Sequence, residues 1–158
     1  MANTQSMCTS FMQELMTATH NFGTAPTRGS GVADTFKAAL YLASATVDAA
    51  TTAYSSTGEV TGTNYTPGGV VVTNATPPAS TNTSATAGVA YWTASASITY
   101  TNVTLTTSFD AVLIYNSTQS NKAVSVHTFG AQTITAGTFT LTMPANTTST
   151  ALLRLATT

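Results

Sequence analysis

Two histidines and one cysteine, His20, His127 and Cys8, are the side chains of this sequence best suited to chemistry. His127 lies in the segment "AVSVHTFG", and as a general base it would need a nucleophile and an orienting carboxylate beside it. The five acidic residues are scattered along the chain, and no GxSxG element exposes a serine for attack. We therefore expect a hydrogen-bonded strand histidine at His127 and no catalytic residues.

Metal and phosphate sites also lack their usual patterns. The histidines and the cysteine are too far apart in sequence for the clustered ligands of a zinc site. No DxDxDG segment offers carboxylates to calcium. The glycine-rich stretches "RGSG" and "TPGGV" do not continue into GK[ST], so they are interpreted as turns. We expect the protein to hold no metal ion and no cofactor.

The composition is poor in charge and rich in threonine. Only 6% of the 158 residues are charged and the formal net charge is −1, whereas soluble domains carry about 25% charged residues. Threonine makes up nearly a quarter of the chain, and its β-branched side chain suits a sheet surface. The four basic residues lie far apart, which argues against nucleic acid as a partner. No apolar run reaches the roughly 18–20 residues of a membrane-spanning helix.

An amphipathic helix is predicted from Met7 to His20, because apolar residues recur there at i, i+3 and i+4. Asn21 and Gly23 favour its end, and a Gly/Pro/Ser connector runs from Gly23 to Asp34. The chain is therefore divided into residues 1–33, helix and connector, and residues 34–158, a β domain. So short a helix must dock, either on its own β domain or on a neighbouring subunit. The candidate partner-contact residues are Phe11, Met12, Leu15, Met16 and Phe22.

Eight short strands with turn residues between them follow the connector. They are predicted at Thr35–Ser44, Gly69–Ala75, Val89–Ser97, Ile98–Thr107, Phe109–Asn116, Lys122–Gly130, Gly137–Pro144 and Ser149–Ala156. The fifth and sixth are expected to form a hairpin through "STQSN". No βαβ rhythm appears. The pattern predicts an all-β fold, an antiparallel β-sandwich that is jelly-roll-like, with a short N-terminal α-helix.

Four segments together resemble a known family. They are "MCTSFMQELMTATHNF", "TFKAALYLASATVDAATTAYSSTGEVTGTNYTPGG", "ITYTNVTLTTSFDAVLIYNS" and "SNKAVSVHTFG". They look like small structural proteins encoded among the virion genes of tailed bacteriophages, whose members carry similar "CTSF", "FKIALY", "EVSGTGYTAGG" and "LIYN…NRAVAV" elements. The insert "APTRGSGVA" and the segment "SFDA" depart from the family pattern.

The resemblance implies a non-enzymatic virion protein, and we place it as a capsid decoration or cement protein. In this role it binds the outer capsid shell and bridges and stabilises major capsid protein subunits, as a homo-oligomer, dimer or trimer. The N-terminus shows no Sec signal pattern, so we expect synthesis in the host cytoplasm and incorporation on the outer capsid surface. Neither nucleic acid nor membrane is an expected partner.

The alternative is a tail, adaptor or fibre component carrying a carbohydrate-binding β-sandwich. In that case exposed aromatic side chains on one sheet face would stack on sugar rings. The candidates are Tyr91, Trp92 and Tyr100. Tyrosine and tryptophan also fill sandwich cores and interfaces, and the sequence does not separate these uses.

Overall fold

A computed structural model describes residues 2–16, 18–22, 33–81 and 88–156 of the chain. Within them the elements are β1 (Ser6–Met7), α1 (Thr9–Met16), β2 (Phe36–Leu42), β3 (Val70–Val71), β4 (Ala79–Ser80), β5 (Val89–Trp92), β6 (Ile98–Asn116), β7 (Lys122–Leu141) and β8 (Leu153–Ala156). The predicted class, an all-β antiparallel sandwich with one short N-terminal helix, is confirmed. β1 and β4 were not predicted.

The strands form two antiparallel sheets. The larger sheet has the order β1-β7-β6-β2-β3 and the smaller one β4-β5-β8. Aromatic side chains join the two sheets: the Phe22 ring stacks on Phe36 of β2 with centroids 4.3 Å apart and meets Trp92 of β5 edge-on at 4.8 Å. Part of the core therefore lies between the sheets, and a residue of the N-terminal segment fills some of this space.

The dominant element is a long hairpin formed by β6 and β7, of 19 and 20 residues. Its turn lies at residues 117–121, so the predicted hairpin is confirmed. On each side of the turn, two predicted strands form one continuous strand. Irregularities in the β6–β7 register accommodate the positions at which the apolar alternation of the sequence changes phase. Asn102, near the predicted phase break, has a φ of 53°, and Ala136 on the partner strand has 46°.

The helix is shorter than the predicted Met7–His20. Met7 belongs to β1, where it pairs with Ser125 of β7. At the other end Ala18 adopts a left-handed φ of 53°. Its N–H donates to the Leu15 carbonyl (3.0 Å) and the next N–H, of Thr19, donates to the Glu14 carbonyl (2.8 Å). This pair of bonds is a Schellman motif, so the helix ends before Asn21 and Gly23.

The described part of residues 1–33 is integrated into the β-sandwich. Cys8, Phe11 and Phe22 belong to the same buried cluster as the strand residues. Connector residues 23–32 lie outside the described residues. The division at residue 33 stays a prediction, but helix α1 docks on the β domain of its own chain.

Candidate interaction surface

His127 lies beside a serine on β7. Ser125 and His127 are two residues apart, so they share a sheet face, and the Ser125 hydroxyl lies 2.9 Å from His127 Nε2. Burial lowers the pKa of His127 to about 4. No carboxylate is hydrogen-bonded to the ring in the part of the chain that the structure describes. The hydrogen-bonded strand histidine is confirmed, and its low pKa makes it a weak base at neutral pH.

Cys8 is fully buried just before α1. Its Sγ lies 3.8 Å from the Asp48 carbonyl, and burial, with smaller contributions from the Asp48 and Glu14 charges, raises the pKa of the thiol to about 12. Among the described residues no three potential metal ligands come together. The described helix is also not long and apolar enough to cross a membrane.

Glu14 ties helix α1 to the start of β7. Its Oε1 lies 2.5 Å from Lys122 Nζ, and its Oε2 lies 2.7 Å from His20 Nε2. Burial raises the pKa of Glu14, but the hydrogen bonds and charges of Lys122 and His20 outweigh this and hold the pKa below its usual value. The helix is therefore fastened to the hairpin by a charged contact as well as by packing.

His20 continues the same network toward the sheet. If Nε2 carries the proton that Glu14 accepts, Nδ1 accepts from the Asn116 amide at 3.1 Å. That amide also donates to Asp34 Oδ2 at 2.7 Å. Burial lowers the pKa of His20 despite the nearby acids. A neutral His20 thus satisfies both ring nitrogens and connects the helix, the β2 approach and the hairpin. We call Glu14, His20, Asp34, Asn116 and Lys122 the polar latch.

Two of the five predicted partner-contact residues lie inside the fold. Phe11 is 1% exposed and Phe22 is 8% exposed. Their rings pack edge-on at 5.9 Å, and Phe11 also meets His20 at 4.9 Å. The expectation that these rings are free for a partner is therefore wrong for Phe11 and Phe22, because they anchor the N-terminal segment to its own sandwich.

The other contact candidates lie nearer the surface. Met12 is 45% exposed and Leu15 is half-buried, while the Met16 side chain lies outside what the structure describes. Leu15 borders a shallow apolar groove of about 70 Å³ between the helix and the small sheet. Leu155, on the groove wall, is 41% exposed. This groove between the helix and the small sheet is called the apolar groove. Its lining residues are Phe11, Leu15, Phe22, Pro78, Ala90, Tyr91, Trp92, Leu153 and Leu155.

The three predicted sugar-stacking residues do not form an exposed platform. Tyr100 is 2% exposed and its hydroxyl donates to the Ala38 carbonyl at 2.7 Å. Trp92 is 3% exposed, with Nε1 donating to Asn74 Oδ1 at 2.8 Å. Tyr91 is half-buried beside the apolar groove. The expectation of exposure is wrong for Trp92 and Tyr100, which lie in different sheets and fill the core.

A buried carboxylate that sequence analysis did not single out organises the long loop before β3. Glu59 is 6% exposed. Its Oε1 accepts from the Tyr65 hydroxyl and the Gly68 N–H, both at 2.7 Å, and its Oε2 accepts from the Tyr54 hydroxyl at 2.6 Å. Tyr65 in turn accepts from the Leu40 N–H of β2 at 3.0 Å. The sequence feature that could have indicated this buried carboxylate is an acidic residue within the turn-rich segment "EVTGTNYTPGG" of a chain with only five acidic residues.

Comparisons with protein-family models, with curated proteins and with solved structures found no match to this chain. The segments on which the expectation of a phage protein rests are also segments that build the fold. "CTSF" supplies the buried Cys8 and Phe11, the "EVTGTNYTPGG" segment supplies the Glu59 cluster, and the hairpin supplies Asn116 and Lys122 of the polar latch.

Proposed function

We propose that this protein is a non-enzymatic structural component of a tailed-phage virion, a decoration or cement protein. It is made in the host cytoplasm and lies on the outer capsid surface. There it bridges and stabilises major capsid protein subunits. The resemblance of four segments to phage structural proteins supports the class. The buried Cys8 thiol and the lowered pKa of His127 support a non-enzymatic role, because the thiol does not reach the surface and the ring is a weak base at neutral pH.

The observation that carries the contact surface is the apolar groove, whose wall includes the exposed Leu155, together with the exposed Met12 on helix α1. Met12 on the helix and Leu155 on β8 are two of the three large apolar side chains found exposed among the described residues. The polar latch and the buried phenylalanines hold the helix in place, so Met12 is presented by a rigid element. A preorganised contact loses less conformational entropy on binding.

Binding to the assembled shell, and not to free subunits, would stabilise the shell by linkage. A ligand that binds only one state stabilises it by about 2.7 kcal/mol at 100 times its Kd. The low charge of the protein suits this role, because many neutral copies can lie close together on one shell without strong mutual repulsion.

A capsid-binding assay with surface variants tests this proposal. Purified protein is added to capsids that lack it, and bound copies are counted after sedimentation. Met12→Asp with Leu155→Asp should reduce capsid affinity at least about tenfold, since charges would have to be desolvated in the contact. The matched control is Thr99→Asp with Thr101→Asp, two exposed residues of β6.

Wild-type protein that fails to bind capsids, or a groove variant that binds as tightly as the control, would contradict the proposal. Thermal unfolding of each variant checks that the fold is kept. Deleting residues 1–23 would be a poorer test, because the deletion also removes Phe11 and Phe22 from the core.

A further inference from the structure

His20 is the buried base at the centre of the polar latch. Its ring nitrogens face partners from two different elements: Nε2 lies 2.7 Å from the Glu14 carboxylate, and Nδ1 lies 3.1 Å from the Asn116 amide nitrogen. A carboxylate accepts hydrogen bonds, and an amide nitrogen donates them. Nε2 therefore carries the ring proton and Nδ1 keeps its lone pair. The latch fits the neutral ring, in this one tautomer.

The Asn116 amide cannot turn over to accept a second ring proton. Its Oδ1 accepts from the N–H groups of Thr118 and Gln119 at 3.1 and 3.2 Å, and its Nδ2 also donates to Asp34 Oδ2 at 2.7 Å. Turning the amide over would set Nδ2 against two N–H donors and Oδ1 against the Asp34 carboxylate. A proton on Nδ1 of His20 would therefore point at a donor that three other hydrogen bonds hold in place.

The charges that face His20 do not offset its burial. Burial lowers the pKa of His20 and outweighs the charges around the ring. Among those charges, Glu14 of α1 and Asp34 before β2 favour the protonated ring, whereas Lys122 of β7 disfavours it. Lys122 Nζ also lies 2.5 Å from Glu14 Oε1 and so offsets the carboxylate charge. The fourth side, from β6, contributes the uncharged Asn116.

We propose that the polar latch is a pH-sensitive fastening, in which protonation of His20 at Nδ1 releases the N-terminal segment, residues 2–16 and 18–22, from the β-sandwich. The released ring binds the second proton that the docked ring resists, so a falling pH shifts the equilibrium toward release. Release also uncovers Cys8, whose N–H donates to the Val124 carbonyl at 3.1 Å in the docked segment. The inference concerns the chain alone and does not rest on the proposed capsid role.

The pH window follows from the ordinary pKa of histidine, which is about 6.5. Above this pH His20 is neutral in both states, so release does not depend on pH. Below it, the equilibrium constant for release should rise, by up to about 30-fold between pH 7.5 and pH 5. Glu14 stays ionised in this window, because the hydrogen bonds and charges of Lys122 and His20 outweigh its burial and hold its pKa below the usual value.

The rate at which dithiodipyridine labels Cys8 in the folded, full-length protein measures release. Each rate is divided by the rate for the urea-unfolded protein at the same pH, which removes the titration of the thiol itself. Hydrogen exchange of β6, followed by mass spectrometry, shows whether the hairpin stays folded while Cys8 is labelled. In the wild type the corrected labelling rate should rise toward pH 5 while β6 remains protected.

Three substitutions separate the latch from other titrations. His20→Gln keeps a neutral donor and acceptor and should abolish the rise. Asn116→Asp replaces the fixed donor by an acceptor that retains a protonated His20, so release should become rarer as the pH falls. His127→Gln removes the other histidine and is the matched control, which should keep the rise. If His20→Gln does not fold, Asn116→Asp decides alone.

Four results would overturn the inference. The first is a rise of less than about threefold in the wild type between pH 7.5 and pH 5. The second is a rise that persists in His20→Gln or in Asn116→Asp. The third is a rise that disappears in His127→Gln. The fourth is exchange of β6 at the rate of Cys8 labelling, because the labelling would then report unfolding of the whole domain.

Discussion

Replacing Glu59 should show how strongly one buried carboxylate stabilises the fold. The carboxylate accepts three hydrogen bonds, from Tyr54, Tyr65 and Gly68. In Glu59→Gln the shape is kept but charge assistance is lost, and a bond to a charged group is worth about 1 kcal/mol more than a neutral one. We therefore expect this variant to lose about 2–3 kcal/mol of unfolding free energy.

Glu59→Ala should cost more than the glutamine substitution. It leaves the Tyr65 hydroxyl and the Gly68 N–H buried without their acceptor, at about 1–3 kcal/mol each, and removes side-chain packing. The half-buried Tyr54 hydroxyl can turn to water, so Tyr54→Phe serves as the mild control, with an expected loss of about 1 kcal/mol. We expect a loss of about 4 kcal/mol for Glu59→Ala.

Urea unfolding followed by the fluorescence of Trp92, the single tryptophan, measures these losses. Trp92 is buried between the sheets and should report on the same cooperative unit. A Glu59→Ala protein within 1 kcal/mol of wild type would refute the view that this carboxylate fastens the loop to the sheet. So would a ranking in which Tyr54→Phe costs more than Glu59→Ala.

Three further predictions concern pH, thiol reactivity and one glycine. Since burial lowers the pKa of His127 to about 4, the unfolded chain binds a proton below pH 6.5 that the folded chain does not. The unfolding free energy should then fall by up to about 1.4 kcal/mol per pH unit as the pH is lowered from 6.5 toward 4. In His127→Gln the unfolding free energy should depend less steeply on pH over this range, and a slope equal to that of the wild type would contradict the prediction. Cys8, with its pKa raised to about 12, should react with a thiol reagent only after unfolding, and rapid labelling of folded protein would be the contrary result. Gly69 has a φ of 72°, and an added Cβ would collide with the Ala38 carbonyl oxygen, so Gly69→Ala should lower the unfolding free energy by at least about 2 kcal/mol in urea. In the control Gly130→Ala the added Cβ meets no neighbour within 4 Å, and the loss should be below about 1 kcal/mol. Equal losses for the two variants would be inconsistent with the collision at Gly69.

The sequence patterns predicted the fold class because burial and alternation coincide along most strands. The apolar run Phe109–Asn116 and the alternating residues after Lys122 form the predicted hairpin. Alternation could not show that Ile98–Thr107 and Phe109–Asn116 are one strand, since a bulge changes phase as a turn does. The two-residue strands β1 and β4 carry too few residues for any periodic signal.

The helix end and the buried residues of the candidate site were less predictable. The helix ends at a left-handed Ala18, a position where glycine or asparagine is the usual signal. Phe11 and Phe22 fitted a partner surface as well as a core, because periodicity defines an apolar face but not what covers it. The hydrogen bonds of Glu59 join residues brought together by a loop of irregular backbone, which no spacing rule predicts.

Electron cryo-microscopy of intact virions carrying this protein tests the proposed function most directly. Density matching the sandwich should appear at many copies on the outer capsid faces, spanning boundaries between major capsid protein subunits, with Met12 and Leu155 toward the shell. Density confined to the tail, the fibres or the portal vertex would contradict the decoration role.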